Sequence, residues 1–144
     1  EIYTLSLHDA LPIFDSSGEM PRGRMHCVAQ QIDIMPTLLQ YMGYNKPYIA
    51  FGIDLLNTPA NNTWAVNHTG GGIYQYVKGD YVIQFDGSEV LAAYNYKEDW
   101  MMQHNLIGDE KKFKEMKKEL KAIIQSYMQR MIDNELIVRA KEKE

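Results

Sequence analysis

The sequence has little of what defines several classes of protein. It contains one cysteine, Cys27, so no disulfide can form within the chain. No run of about 18 apolar residues is present, so no segment is predicted to span a membrane. The first residues also do not form the basic region and apolar core of a signal peptide. The formal net charge of −4 argues against a nucleic-acid-binding protein.

What remains is typical of a globular protein. The chain has 144 residues, of which 45% are hydrophobic and 24% are charged, enough for one domain or for a piece of a larger one. Residues 109–144 hold ten Lys or Arg and eight Asp or Glu, closely interleaved. This pattern favours a solvated helix face, with contact to a membrane surface or nucleic acid as the less favoured alternative.

Residues 1–13, EIYTLSLHDALPI, resemble the in-frame translation of a common short-read sequencing adapter at every codon. The resemblance implies that this segment is an artefact joined to a truncated reading frame, so we do not expect it to contribute to the fold. His8 and Asp9 would otherwise look like a catalytic or metal-binding pair. We therefore expect the natural protein to begin upstream and this chain to be its C-terminal part.

The clearest local signal is a short helix over residues 33–42. Asp33 is typical of a helix N-cap, Pro36 is tolerated in the first turn, and Gly43 can end the helix in a left-handed conformation. Apolar residues at helical spacing predict one buried face, made of Met35, Leu38, Leu39 and Met42.

Strand signals follow, separated by turns rich in Gly and Asp. Residues 64–67 are a short strand candidate, and Gly70–Gly72 form a flexible turn. Residues 73–77, 81–85 and 90–96 predict a three-stranded antiparallel meander. A long helix is predicted over residues 109–138, begun by Asp109, with a charged end that frays. Its apolar stripe comprises Phe113, Met116, Leu120, Ile123, Tyr127 and Met131. The predicted class is therefore α+β.

No residue pattern predicts a catalytic or metal site. His26, His68 and His104 show neither helical i, i+4 spacing nor a metal-binding motif. His68, before the glycine turn, is the best placed to face a substrate, although a surface role is favoured. Three further interpretations are disfavoured: His26 with Cys27 as a metal pair, Gly70–Gly72 as a phosphate loop, and Asp33 as a metal ligand, since capping accounts for it.

Three segments carry a family resemblance. Residues 31–39, QIDIMPTLL, with Gly43, are similar to a D-x-x-P-T-x-x-x-x-x-G helix of sulfatase-type enzymes in the alkaline-phosphatase-like superfamily. Residues 51–56, FGIDLL, resemble the family's G-x-S/D-L-L segment. Residues 91–99 with Asn105 and Leu106 resemble its L-Y-x-L-x-x-D-P…N-L stretch, although Trp100 replaces the usual proline.

The resemblance implies an enzyme whose catalytic machinery lies elsewhere. Residues 45–52, NKPYIAFG, are similar to the lipoteichoic acid synthase branch of membrane-anchored phosphoglycerol transferases with an extracytoplasmic catalytic domain. The parent would have an α/β fold, a divalent metal (Mn, Mg or Ca) and a threonine nucleophile, or a formylglycine in true sulfatases. The family's metal ligands all precede the Asp33 helix, so no catalytic, cofactor-binding or metal-binding residue is assigned here.

These observations predict three parts: an artefact at 1–13, a C-terminal subdomain of a sulfatase-like catalytic domain at 14–108, and a long amphipathic helix at 109–144. The expected partner is the missing N-terminal catalytic portion of the same chain. Two alternatives stay open: a fragment of an arylsulfatase, and a small non-enzymatic interaction module whose long helix pairs with a partner.

Overall fold

The structure is built around an antiparallel sheet crossed by one long helix. The computed structural model describes residues 16–138. A short helix, α1 (Ile34–Tyr41), follows a 3-10 turn (Gln31–Asp33), and α2 (Glu110–Ile132) comes after the sheet. The sheet has the order β1-β2-β3-β4, with β1 (Trp64–Thr69), β2 (Ile73–Lys78), β3 (Tyr81–Phe85) and β4 (Val90–Asn95). The chain is therefore mixed α+β, as the sequence predicts.

Tight turns join the strands. Gly79 and Asp80 form the two-residue loop between β2 and β3, and Gly79 adopts a positive φ of 57°, as the turns of closely paired strands require. In the next turn the Asp86 carboxylate accepts hydrogen bonds from the backbone N–H of Ser88 and Glu89. These local bonds close the turn, and the pairing of β3 with β4 shifts its register beside it, between Gln84 and Phe85.

One face of the sheet packs against the first half of α2 and forms the core. Tyr76, Ile83 and Ala93 are direct cross-strand neighbours on this face. They form a buried cluster with residues from β3 and α2: Phe85, Phe113, Met116 and Leu120. Apolar burial of this kind is the main favourable term in folding.

The sheet has four strands rather than the three that the sequence predicts for the meander. The short strand candidate at residues 64–67 extends to Thr69, and every residue of β1 pairs with β2. Asn67 and His68 weaken the strand signal because neither is an apolar residue. Cross-strand pairing with a well-defined neighbour overrides that weak local preference.

The expected buried face of α1 is wrong at its two methionines. Met42 is 76% exposed and Met35 is also exposed, whereas the buried residues of α1 are Pro36 and Thr37. The helix does end as predicted, because Gly43 has a φ of 67° and the N–H of Tyr44 bonds to the carbonyl of Leu39. Leu38 and Leu39 are half-buried, so the two methionines of the predicted face are exposed while its two leucines are partly covered.

The long helix ends at Ile132, six residues before the predicted end. Asn134 adopts a φ of 54°, and the N–H of Glu135 closes the last turn on the carbonyl of Arg130. Asp109 accepts a bond from the N–H of Lys112 and begins the helix as predicted. Of the predicted stripe, Phe113, Met116 and Leu120 are buried, Ile123 is partly buried, and Tyr127 and Met131 are exposed. The predicted artefact at 1–13 and the fraying end at 139–144 lie outside the described residues.

We expect Leu120→Ala to lower the free energy of unfolding by about 2–5 kcal/mol, because it opens a cavity in the core between α2 and the sheet. Ile132→Ala on the same helix is the matched control. Ile132 is 78% exposed, so its loss should stay below about 0.5 kcal/mol. Urea unfolding followed by circular dichroism measures both, and equal losses in the two variants would contradict this description of the core.

Candidate functional site

The carboxylate of Asp33 is buried and joins two distant segments of backbone. Its Oδ2 accepts a hydrogen bond of 2.9 Å from the N–H of Gln30, and its Oδ1 accepts one of 2.8 Å from the N–H of Ile53. The residue is 0% exposed. Bonds to a charged acceptor are stronger than bonds between neutral groups. One side chain therefore ties the start of α1 to the connector, which we define as residues 42–63 between α1 and β1.

Thr37 and Gly52 complete this contact. The hydroxyl of Thr37 donates to the carbonyl of Asp33 at 2.7 Å and accepts from the N–H of Leu55 at 3.0 Å. A Cβ on Gly52 would lie 2.1 Å from the carbonyl oxygen of Ile32, so no larger residue fits there without movement of the backbone. We call Asp33, Thr37 and Gly52 the Asp33 clamp.

Hydrogen bonds also connect the segment before α1, at Val28 and Gln30, to the edge of the sheet at β1 and at Thr63 just before it. The side chain of Gln30 accepts a bond from the N–H of Val66 at 3.1 Å and donates to the carbonyl of Trp64 at 3.4 Å. The N–H of Val28 donates to the hydroxyl of Thr63 at 3.0 Å. The bonds from Gln30 occupy backbone groups of β1 that face away from β2 and so blunt an exposed sheet edge.

Asp33 does not cap α1, contrary to the sequence prediction. Its carboxylate is turned toward Gln30 and Ile53, and its backbone already has helical angles. Burial raises the pKa of this carboxyl, and the hydrogen bonds from Ile53 and Gln30 work against that rise. Both oxygens bind backbone amides, which makes the group a structural acceptor and a poor candidate for a metal ligand.

The candidate histidines lie on separate elements. His68 is exposed on β1 with its ring centroid 4.7 Å from that of Tyr74, and His26 is exposed in the segment before α1. His104 is exposed after β4, with Nδ1 3.4 Å from Oδ2 of Asp99. Within residues 16–138, no three His, Cys, Asp or Glu side chains are grouped so that they could hold a metal ion.

Cys27 and the glycine turn have no catalytic surroundings. Burial, and to a lesser degree the charge of Asp33, raises the pKa of the Cys27 thiol, which keeps it protonated and weakly nucleophilic. Gly72, with a φ of 78°, closes the turn between β1 and β2. A strand follows this turn, so the helix N-terminus that a phosphate loop requires is not there.

A row of lysines forms the most basic surface of α2. Side chains from this row border a shallow depression of about 410 Å³, lined by Lys114, Lys117, Lys118, Lys121, Ala122 and Gln125. Lys117 also pairs with Glu89 at 2.6 Å. The lining contains neither a carboxylate nor a nucleophile, so the depression is suited to contact with an anion rather than to catalysis.

Comparison with known proteins assigns no function to this chain. A scan against models of protein families finds no match to the chain, and a search of curated proteins finds no significant match. Within residues 16–138, no helix is long and apolar enough to cross a membrane.

We expect Asp33→Ala to lower the free energy of unfolding by about 2–4 kcal/mol, because two backbone N–H groups lose a charged acceptor. Asp133→Ala removes an exposed carboxylate of the same size, bonded at 2.7 Å to the Gln129 side chain, and should cost less than about 1 kcal/mol. Urea unfolding compares the two variants. A loss at Asp33 no larger than at Asp133 would contradict a structural role for the clamp.

Gly52→Ala should also destabilise the protein, by about 1–3 kcal/mol, because the new Cβ collides with backbone that cannot move alone. Gly70→Ala is the matched control, since a Cβ there meets no atom within 4 Å. Thermal unfolding should show a clear fall in Tm for the first variant and little change for the second. An unchanged Tm for Gly52→Ala would show that the connector does not pack closely on the 3-10 turn.

Proposed function

We propose that this chain is the structural C-terminal part of a metal-dependent phosphoglycerol transferase or sulfatase-like enzyme. The observation that carries the proposal is the Asp33 clamp. Asp33, Thr37 and Gly52 belong to the segments that resemble the family. Asp33 and Thr37 accept hydrogen bonds from the residues that follow Gly52, and Gly52 itself packs against the backbone of Ile32 and Asp33. A chance likeness between two short segments would not require their matching residues to touch.

The spacing of the first segment has a physical reason. Asp33 and Thr37 are four residues apart, so they lie on the same side of the chain one helical turn apart. From there they bind the N–H groups of Ile53 and Leu55, which lie just after Gly52. The two motifs thus specify one structural unit, which supports common descent with an enzyme that uses the same unit.

Exposed apolar side chains support the view that a larger body covers this part of the molecule. Ile32, Met35 and Met42 are exposed on the 3-10 turn and α1, beside the clamp. Apolar surface in contiguous patches normally marks an interface. We propose that the N-terminal catalytic portion of the parent packs there and completes an α/β fold of the alkaline-phosphatase type.

The proposed parent is a membrane-anchored enzyme with an extracytoplasmic catalytic domain, with the transferase branch favoured over the sulfatases. Residues 45–52 carry that preference. Its divalent metal, Mn, Mg or Ca, would be bound by residues upstream. The described residues do not suit such an ion, because hard cations need several oxygen ligands and the Asp33 carboxylate is bound to amides.

One observation favours the alternative of an interaction module. The second half of α2 carries exposed apolar residues, among them Tyr127, Met128 and Met131. A second helix could pack on this stripe and bury it. Phe51 of the connector already contacts Tyr127, with ring centroids 5.1 Å apart, so part of the stripe is covered within the chain. Because the stripe is partly covered by the chain itself, we favour a fragment of an enzyme over an interaction module.

We expect the purified chain to hydrolyse neither aryl sulfates nor phosphate diesters and not to bind Mn²⁺, Mg²⁺ or Ca²⁺ tightly. Nucleophilic catalysis needs an activated Ser, Thr or Cys beside a base or metal, which the sequence does not provide. Chromogenic assays and calorimetric titration with each ion measure this. Micromolar metal binding that disappears in His68→Ala but persists in His26→Ala would overturn the assignment.

Long-read sequencing of the source DNA tests the proposal directly. We expect the reading frame that encodes residue 14 onward to continue upstream without the codons for residues 1–13. It should encode a Ser, Thr or Cys nucleophile motif and an Asp-His metal motif, and hydrophobic spans would favour the transferase branch. A start codon close to residue 14, or a long upstream frame without these motifs, would contradict the proposal.

A further inference from the structure

Three lysines share one exposed face of α2 with two exposed apolar residues. Lys114, Lys118 and Lys121 recur at spacings of four and three, which places them on one side of the helix. Met128 and Ile132 continue the same row, 14 and 18 residues after Lys114, and 18 residues are about five complete helical turns. We call these five residues the basic ridge, and it runs for about 27 Å along the helix.

The ridge lies apart from the face of α2 that packs on the sheet. That packed face consists of Phe113, Met116 and Leu120, which are buried, whereas all five ridge residues are exposed. The ridge can therefore contact a partner without any change in the core.

The positive charge of the ridge is available for an external partner. The ion pairs that α2 makes with the sheet use Lys117 with Glu89, and Glu119 with Lys78. Glu119 also accepts a bond from the Tyr76 hydroxyl at 3.0 Å, so this acid is directed toward the sheet. Lys121 also contacts the sheet, with Nζ 5.5 Å from the centroid of the Phe85 ring, so its exposed side chain must turn away from that ring to bind a partner.

The net negative charge of the whole chain favours binding of an anionic partner at the basic ridge over binding elsewhere. The chain has a net charge of −4, so a polyanion is repelled by most of the molecule. Charges act over about 8 Å at physiological ionic strength, which is short compared with the ridge. An anionic partner would therefore meet the chain in one orientation, with the ridge facing it.

We propose that the basic ridge docks on a membrane surface rich in anionic phospholipids. Lysines near such a surface bind its phosphates, and apolar side chains at the end of the row enter the interface. Met128 and Ile132, which is 78% exposed, occupy that end. A soluble polyanion would use the lysines and gain nothing from Ile132. The inference rests on the geometry of α2 and does not depend on the proposed family.

Vesicle flotation with the full chain tests the proposal. Vesicles of phosphatidylcholine alone are compared with vesicles that also contain phosphatidylglycerol. We expect binding to the anionic vesicles, weakened by high salt, and little binding to the neutral ones. Replacing Lys114, Lys118 and Lys121 together with Gln should weaken binding by about tenfold or more.

Two further variants distinguish binding through the ridge from attraction by positive charge anywhere on the chain. A matched triple change to Gln at Arg24, Lys46 and Lys97, which are exposed elsewhere, should alter binding by less than about twofold. Ile132→Ser should weaken vesicle binding while leaving Tm unchanged. The proposal would be overturned if the chain bound neutral and anionic vesicles equally well, or if the two triple variants lost vesicle binding equally. It would also be overturned if the chain bound soluble polyphosphate tightly and Ile132→Ser had no effect on vesicle binding.

Discussion

The buried carboxylate of Asp33 is the contact on which the arrangement of the first half of the chain depends. It accepts hydrogen bonds from the N–H of Gln30, three residues before Asp33, and from the N–H of Ile53, 20 residues after Asp33. Gln30 in turn binds the outer edge of β1 through its side chain. The 3-10 turn, α1, the connector and the sheet are thus linked through a short series of hydrogen bonds, whereas the buried apolar cluster is formed by the sheet and α2. Breaking the first of these bonds should loosen the connector while leaving the sheet intact.

The two halves of the molecule are stabilised differently. The sheet and the first half of α2 bury a compact apolar cluster that includes Tyr76, Ile83 and Leu120. The region of α1 has few buried apolar side chains, and Met35 and Met42 face solvent. A helix of eight residues has little stability by itself in water, so it depends on partners. This asymmetry supports the proposal that the chain is a subdomain and packs against a larger body.

The parts of the fold that could be predicted from sequence are those set by local chemistry. Gly43 ends α1, Asp109 begins α2, and the turns rich in Gly and Asp separate β2, β3 and β4. Burial was harder to predict, because the apolar spacing of Met35 and Met42 identifies a face but not what covers it. The role of Asp33 was also missed: capping is a local property, whereas its bond to Ile53 crosses 20 residues. The glycine at position 52 was the available signal, since close backbone approach is one of its standard uses.

Hydrogen exchange measured by NMR at the backbone amide of Ile53 tests the central claim most directly. In the unaltered chain this amide should exchange much more slowly than an exposed amide such as that of Gly71, because it is bonded to a buried carboxylate. In Asp33→Ala the amides of Gln30 and Ile53 should lose their protection together, while that of Ile83 at the centre of the sheet keeps its own. Fast exchange at Ile53 in the unaltered chain, or unchanged protection in the variant, would contradict the account.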